Sequence, residues 1–326
     1  LFNYNNLSGY KKLILKEVSV QFFEKLTRVF VGLFVVRSLS LYLGPDDFGA
    51  LNFIESYYLM IYGIAIFGLD TVITKKFVLT KTKENFNDLI SAGVIILITI
   101  SSLLYLFNFL FLINFIEFEQ EKLILIICFL LFLNPFLLIE YFLTSKNQIR
   151  YISAVRLVAY LISSSLKITA VYLQLEIDFF IYTIMFEGII LYLGLIFLVR
   201  NKIKFYKLPN KLNFQIINEM VKDGFPIFLY AIGALIYSRI DILMIQRYLS
   251  ENDLGNYSAS LKLVTFLLFL PGILSASFFP KIVSESSFSN NSSYIRKMYR
   301  YSFFSSFIIL IICLFSGPIM IDILFG

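Results

Sequence analysis

The sequence predicts an all-α polytopic membrane protein built as two parallel six-helix lobes, and three observations carry that reading. Apolar residues come in long blocks and raise the mean hydropathy to +0.81. The loops between the blocks alternate in charge. Two short stretches, Tyr42-Leu43-Gly44-Pro45-Asp46-Asp47-Phe48-Gly49 and Tyr248-Leu249-Ser250-Glu251-Asn252-Asp253-Leu254-Gly255, are copies of each other.

Of the 326 residues, 59% are hydrophobic and only 15% charged. Soluble domains average about 45–50% apolar and about 25% charged. The net charge of +6 comes from basic residues in short loops, so it argues topology and not nucleic-acid binding. Cys128 and Cys313 both fall inside apolar runs, which supports neither a disulfide framework nor a thiolate metal site. The chain has no histidine, which removes His-based proton relays, metal sites and acyl transfer. Nothing calls for a cofactor or a metal, and no catalytic constellation is present.

Nine spans follow, each near the ~20 residues that a helix needs to cross a bilayer. They run over 17–43, 48–74, 89–114, 122–144, 151–173, 178–199, 222–247, 254–280 and 299–321. The first run lacks a small-residue cleavage site and is expected to act as an uncleaved span. Loops on one side carry Lys11, Lys12 and Lys16, then Lys75 and Lys76, Lys146 and Arg150, Arg200 to Lys222, and Lys281 to Arg300. Loops on the other carry Asp46 and Asp47, Glu117 and Glu119, Glu176 and Asp178, Glu251 and Asp253. Only Lys122 and Arg247 break the pattern. The excess of basic residues places the N-terminus in the cytoplasm. The loop at Asp46-Asp47 is too short for a catalytic site and reads as a turn and helix cap.

Span 7 repeats span 1, so one unit holds six helices and both units share an orientation. Residues 1–200 are then the N-terminal lobe, 201–221 a basic cytoplasmic linker, and 222–326 three of the six helices of a second lobe. About 12 spans are expected in all, and the end at Phe325-Gly326 reads as a C-terminal truncation. Phe214, Ile217 and Val221 suggest an interfacial amphipathic helix within the linker, and Ser284–Ser293 reads as a flexible loop.

Charges at membrane depth are costly and mark cavities or pathways. Span 1 lines up Glu17, Gln21, Glu24 and Arg28 on one face; span 5 does the same with Arg156, Tyr160, Ser163 and Lys167; span 7 with Tyr230, Ala234, Tyr237 and Asp241. Single charges fall in other spans at Glu55, Asp70, Glu140, Glu187 and Lys262. Arg37, Glu140 and Arg200, near span ends, are expected to snorkel. The stripes predict a wet, partly cationic cavity. Its candidate substrate-binding residues are Arg28, Arg156, Lys167, Arg239 and Lys262, and its candidate ion-coupling residues are Glu24, Asp70 and Asp241. Guanidinium groups suit an anionic substrate because their planar fork donates paired hydrogen bonds to phosphate. The competing explanation is internal salt bridging between helices.

Several segments carry a family resemblance: Arg37 through Gly49, Gly63 through Asp70, Gly224-Phe225-Pro226, Ile236 through Asp241, Leu254 through Lys262, and Phe279-Pro280. Together they resemble the Wzx-type polysaccharide flippases, translocases of O-antigen and capsule repeat units. Those belong to the multidrug/oligosaccharidyl-lipid/polysaccharide exporter superfamily. The resemblance implies a bacterial inner-membrane protein that moves undecaprenyl-pyrophosphate-linked oligosaccharide to the external leaflet by alternating access. It implies as partners the lipid-linked oligosaccharide, membrane lipids, a proton or Na+ gradient and glycan polymerases. Asp241 and Lys262 are carried over by matching positions; Arg28, Arg156 and Lys167 rest on stripe geometry. A drug or cation antiporter of the same superfamily is the main alternative. A membrane polymerase or glycosyltransferase would need an external catalytic loop larger than any seen here, so an enzyme is not expected.

Overall fold

The computed structural model describes residues 7–80, 83–115, 121–200, 213–267, 296, 298–311 and 314–315. Every element among them is helical: α1 (Leu7–Ile66), α2 (Leu69–Leu79), α3 (Lys83–Phe115), α4 (Glu121–Cys128), a 3-10 segment (Phe129–Phe136), α5 (Leu137–Ser145), α6 (Ile149–Tyr172), α7 (Ile177–Val199), α8 (Phe214–Tyr248), α9 (Glu251–Leu267) and α10 (Met298–Ile311). Six stretches are long and apolar enough to cross a membrane. Lys281, the Ser284–Ser293 loop, most of the basic linker, the later part of span 8, Glu117, Glu119 and Cys313 lie outside the described residues.

At about 1.5 Å per residue a straight α1 would span about three times the ~30 Å hydrocarbon core. It does not stay straight. Gly44 leaves the helix at φ 71, ψ 177, a conformation that glycine adopts without a Cβ penalty. Pro45 follows as the first helical residue, where its missing N–H costs nothing. Asp46 and Asp47 fill the first turn beyond it, where negative charge suits the helix dipole.

Cross-helix registers fix the direction of each segment. Glu17 accepts from the Arg150 amide at 2.7 Å, Arg28 reaches the Arg156 carbonyl at 3.1 Å, and Tyr42 reaches the Leu175 carbonyl at 3.0 Å. The first half of α1 therefore runs parallel to α6. The second half runs the other way: Ser56 meets Arg239, Gly63 meets Leu235, Gly68 meets Ile227, and Lys76 meets Glu219. It is antiparallel to α8 and parallel to α9, where Gly49 meets Gly255 and Glu55 meets Lys262. The chain thus reverses at Gly44, and the α1 hairpin and the α8–α9 hairpin share one orientation.

This arrangement sorts the charges. Asp46, Asp47, Glu176, Asp178, Glu251 and Asp253 lie at one end; Lys75, Lys76, Lys146, Arg150, Arg200 and Lys222 lie at the other. The two exceptions acquire causes. Lys122 shares a small cavity at the acidic end with Asp47, Asp178 and Tyr182. Arg247 occupies the last turn of α8, where a cation complements the helix dipole.

Two apolar clusters fill the ends. Leu39, Ile54, Ile124, Leu131 and Phe180 pack toward the acidic end; Ile73, Leu97, Leu138, Tyr192 and Leu195 pack toward the basic end. There Phe77, Phe86 and Phe142 form an aromatic triangle with centroids 5.1–5.9 Å apart. Such contacts hold helices together in lipid, where the hydrophobic effect between helices is absent.

Two details depart from expectation. Span 4 is not one regular helix: Pro135 lacks the N–H for an i−4 bond, and the chain tightens to a 3-10 segment between α4 and α5. The expected amphipathic helix at 214–221 is continuous with span 7, forming the first turns of the 35-residue α8. Asn213 caps it by accepting from the Ile216 amide at 3.4 Å, while Ile217 and Val221 pack on the basic-end cluster.

Candidate functional site

The predicted cavity residues fall into two groups, and the groups are built differently. The first joins α1, α5 and α6. The spacing of Glu24 and Arg28 puts them one turn apart, and Arg28 Nε lies 2.8 Å from Glu24 Oε1. Arg28 stacks over the Tyr160 ring at 4.8 Å, and Tyr160 in turn donates to the Arg28 carbonyl at 3.2 Å. Arg156 makes an ion pair with Glu140. Glu140 therefore does not snorkel as expected: it turns inward because a guanidinium is available across one helix interface. The other two expected snorkellers, Arg37 and Arg200, are exposed, Arg200 lying over the Phe197 ring at 4.1 Å. Near the basic end, Glu17 is only 6% exposed and grips both the amide and the side chain of Arg150. In this group each cation is matched by a carboxylate and each ion pair binds one helix to the next or to itself. Arg28 and Arg156 work there as fasteners.

The second group lies at mid-depth on the seam between the two hairpins. Lys262 of α9 reaches Glu55 of α1 at 3.0 Å. Arg239 of α8 donates to Ser56 Oγ at 3.2 Å. Lys167 of α6 is half-buried, and the charges acting on it are those of Glu55, Glu187 and Lys262. Glu55 in turn feels Lys262, Lys167 and Arg239. Three cations from three helices thus converge where the repeated hairpins meet, against two carboxylates. Four donor N–H groups of Arg239 remain free of any bond among the described residues, because a guanidinium carries five.

The ion-coupling candidates separate as well. Asp241 accepts from the Tyr257 hydroxyl and from the Ile242 amide, tying α8 to α9. Glu24 is committed to Arg28. Asp70 is exposed in the first turn of α2, just after Gly68 with its φ of 67, and makes no ion pair among the described residues. On the α8 stripe Tyr230 and Tyr237 are 79% and 88% exposed.

Glu55 and Glu187 were not among the predicted site residues. Glu55 shares its span only with the distant Asp70 and Glu187 forms no stripe on its own, so no periodicity flags either, and their partners lie on other helices. Helical spacing reports neighbours on one helix only.

Comparison with known proteins adds one finding. The sequence profile of a family described as polysaccharide biosynthesis protein matches residues 38–326. No curated protein and no solved structure matches the chain.

Proposed function

The chain belongs to the polysaccharide biosynthesis protein family, and from that premise we propose that it is a flippase for undecaprenyl-pyrophosphate-linked oligosaccharide. It is a multi-pass membrane protein of polysaccharide synthesis or export. The observation that carries the finer reading is the seam cluster of Lys167, Arg239 and Lys262. Unassisted flipping drags sugars and a pyrophosphate through hydrocarbon, where each unpaired polar group costs several kcal/mol. Cations at mid-depth between two repeated units replace lost hydration for the phosphates, while the prenyl chain stays in lipid. Binding at the interface of repeats is the usual place for a transported substrate, since relative movement of the repeats exposes it to either side.

In this reading Lys167, Arg239 and Lys262 hold the phosphate oxygens or acidic sugars. Arg28 and Arg156, each paired with a carboxylate, fasten α1, α5 and α6 beside that cluster. Glu24, Asp70 and Asp241 are the carboxylates through which a proton or Na+ gradient acts. The protein sits in the bacterial cytoplasmic membrane with its N-terminus and basic loops inside. It hands its product to a glycan polymerase.

Deleting and restoring the complete gene in the source organism tests the proposal. Accumulated lipid-linked repeat units with missing surface polysaccharide, rescued by the gene, are the expected outcome. Normal surface glycan with altered drug sensitivity would move the protein to drug or cation antiport.

A further inference from the structure

Glu55 stands where an anionic substrate group would stand. Its carboxylate lies 3.0 Å from Lys262 Nζ, and the cations acting on it come from three other helices: Lys262 of α9, Lys167 of α6 and Arg239 of α8. Tyr160 on α6 senses Glu187, Arg28 and Glu55, and Glu187 on α7 acts on Lys167. Three cations against two carboxylates leave a single positive charge. A pyrophosphate diester carries two negative charges. The cluster is therefore under-charged for the proposed cargo unless one carboxylate withdraws.

The geometry says which one. Glu55 is the carboxylate in direct contact with a seam cation, its Oε2 lying 3.0 Å from Lys262 Nζ, and the charges of Lys167 and Arg239 act on it as well. Glu55 and Lys262 are 35% and 31% exposed at their side chains, so an incoming anion can reach the pair. Both side chains are long and unbranched, and rotation about their own bonds separates them without moving a helix. Three cations facing Glu187 alone would be costly at this depth; Glu55 supplies the second counter-ion.

We propose that Glu55 is a tethered counter-anion, which occupies the seam cations in the unloaded protein and gives up Lys262 to a phosphate of the incoming lipid-linked substrate. The proposal rests on the flippase reading and deepens it: the substrate feature selected is an anionic phosphate able to outcompete a carboxylate. Exchange of one anion for another also discriminates against neutral lipids, which cannot release Glu55 from Lys262.

Inorganic pyrophosphate binding to the purified full chain in nanodiscs, measured by calorimetry, tests it. Glu55→Gln keeps the shape and removes the competitor, so affinity rises by roughly tenfold, the size expected for a close charge pair. Lys262→Gln lowers it by a similar factor. Unchanged or weaker binding by Glu55→Gln overturns the inference. As a check that needs no variant to fold, the Glu55 carboxyl carbon resonance of the unsubstituted protein moves when pyrophosphate is added; a resonance that stays in place while pyrophosphate binds overturns it too. Pyrophosphate that binds the unsubstituted chain but not Glu55→Gln more tightly sinks only the counter-anion. Pyrophosphate that binds neither sinks the cationic site as well.

Discussion

The seam between the two hairpins ends in a backbone contact at its acidic tip and in an ion pair at its basic tip, with a second backbone approach between Gly68 and Gly224 part-way along. At the acidic end the repeated turns touch directly: a Cβ added at Gly255 would lie 2.0 Å from the Pro45 carbonyl oxygen, and one at Gly49 would lie 2.7 Å from the Glu251 carbonyl oxygen. At the basic end Lys76 of α2 spans the same seam to Glu219 at 3.2 Å and Asp223 at 3.7 Å on α8, all in reach of water. The first contact is all-or-none, because two backbones at van der Waals distance cannot yield to a side chain. The second is graded and screened by salt. The seam thus joins rigid backbone approaches to a loose, water-facing ion pair at its basic tip.

The largest effect is expected from breaking the tight end. Gly255→Val forces the hairpins apart at the Pro45 carbonyl, and abolishes translocation in a vesicle assay; overpacking of this kind also costs about 1–3 kcal/mol of stability. Full activity would show that this end never has to close. Next comes a contrast between the two charge groups. Arg156→Met strands the Glu140 carboxylate and lowers the thermal midpoint by an amount corresponding to up to about 3 kcal/mol, and Arg156→Met with Glu140→Met recovers it. Lys167→Met has the opposite signature: a small change in melting, with translocation reduced tenfold or more. If the two variants behave alike, the division into fasteners and binding site is wrong.

A smaller effect sharpens the loose end. Lys76→Ala removes an ion pair to exposed carboxylates and costs less than about 1 kcal/mol. Its effect on translocation rate vanishes at high salt, which a packing contact would not do. The smallest effect is at the second turn. Ser250 and Asp253 form a reciprocal cap: the Ser250 hydroxyl donates to Asp253 Oδ2 at 2.6 Å and its oxygen accepts from the Asp253 amide at 3.2 Å. Those bonds from Ser250 hold the Asp253 carboxyl below its ordinary range. The lowered group stabilises the turn at neutral pH, and that contribution is lost as the pH falls through the lowered value. Ser250→Ala returns the Asp253 titration, followed by NMR, toward the ordinary carboxylate range.

Much of this was legible in the sequence. Loop charges alone gave the segregation of acidic and basic ends, and Gly44-Pro45 announced the reversal inside α1. The Glu24–Arg28 and Arg156–Tyr160 spacings placed four side chains on facing stripes, and the structure joins those stripes. What the stripes could not report is compensation. Arg28 and Arg156 looked like cavity cations because their partners, a turn away or on α5, add charge of the opposite sign without altering the periodicity. Glu55 and Lys262 are 207 positions apart, so no local pattern links them. The 3-10 segment around Pro135 depends on how α4 and α5 pack on their neighbours, and a hydropathy profile averages it into one span.

The meeting of Gly49 with Gly255 has a meaning in symmetry. Each residue touches its own duplicate, as residues on the axis of a two-fold homodimer do. The seam therefore has the form of a two-fold dimer contact at this point. Half of the matched turn differs between the copies: Gly44 stands against Ser250, Pro45 against Glu251, Asp46 against Asn252 and Phe48 against Leu254. The paired glycines have no such freedom, because enlarging either one excludes the other. Where two copies of one turn meet on a local symmetry axis, the paired positions are sterically a single residue.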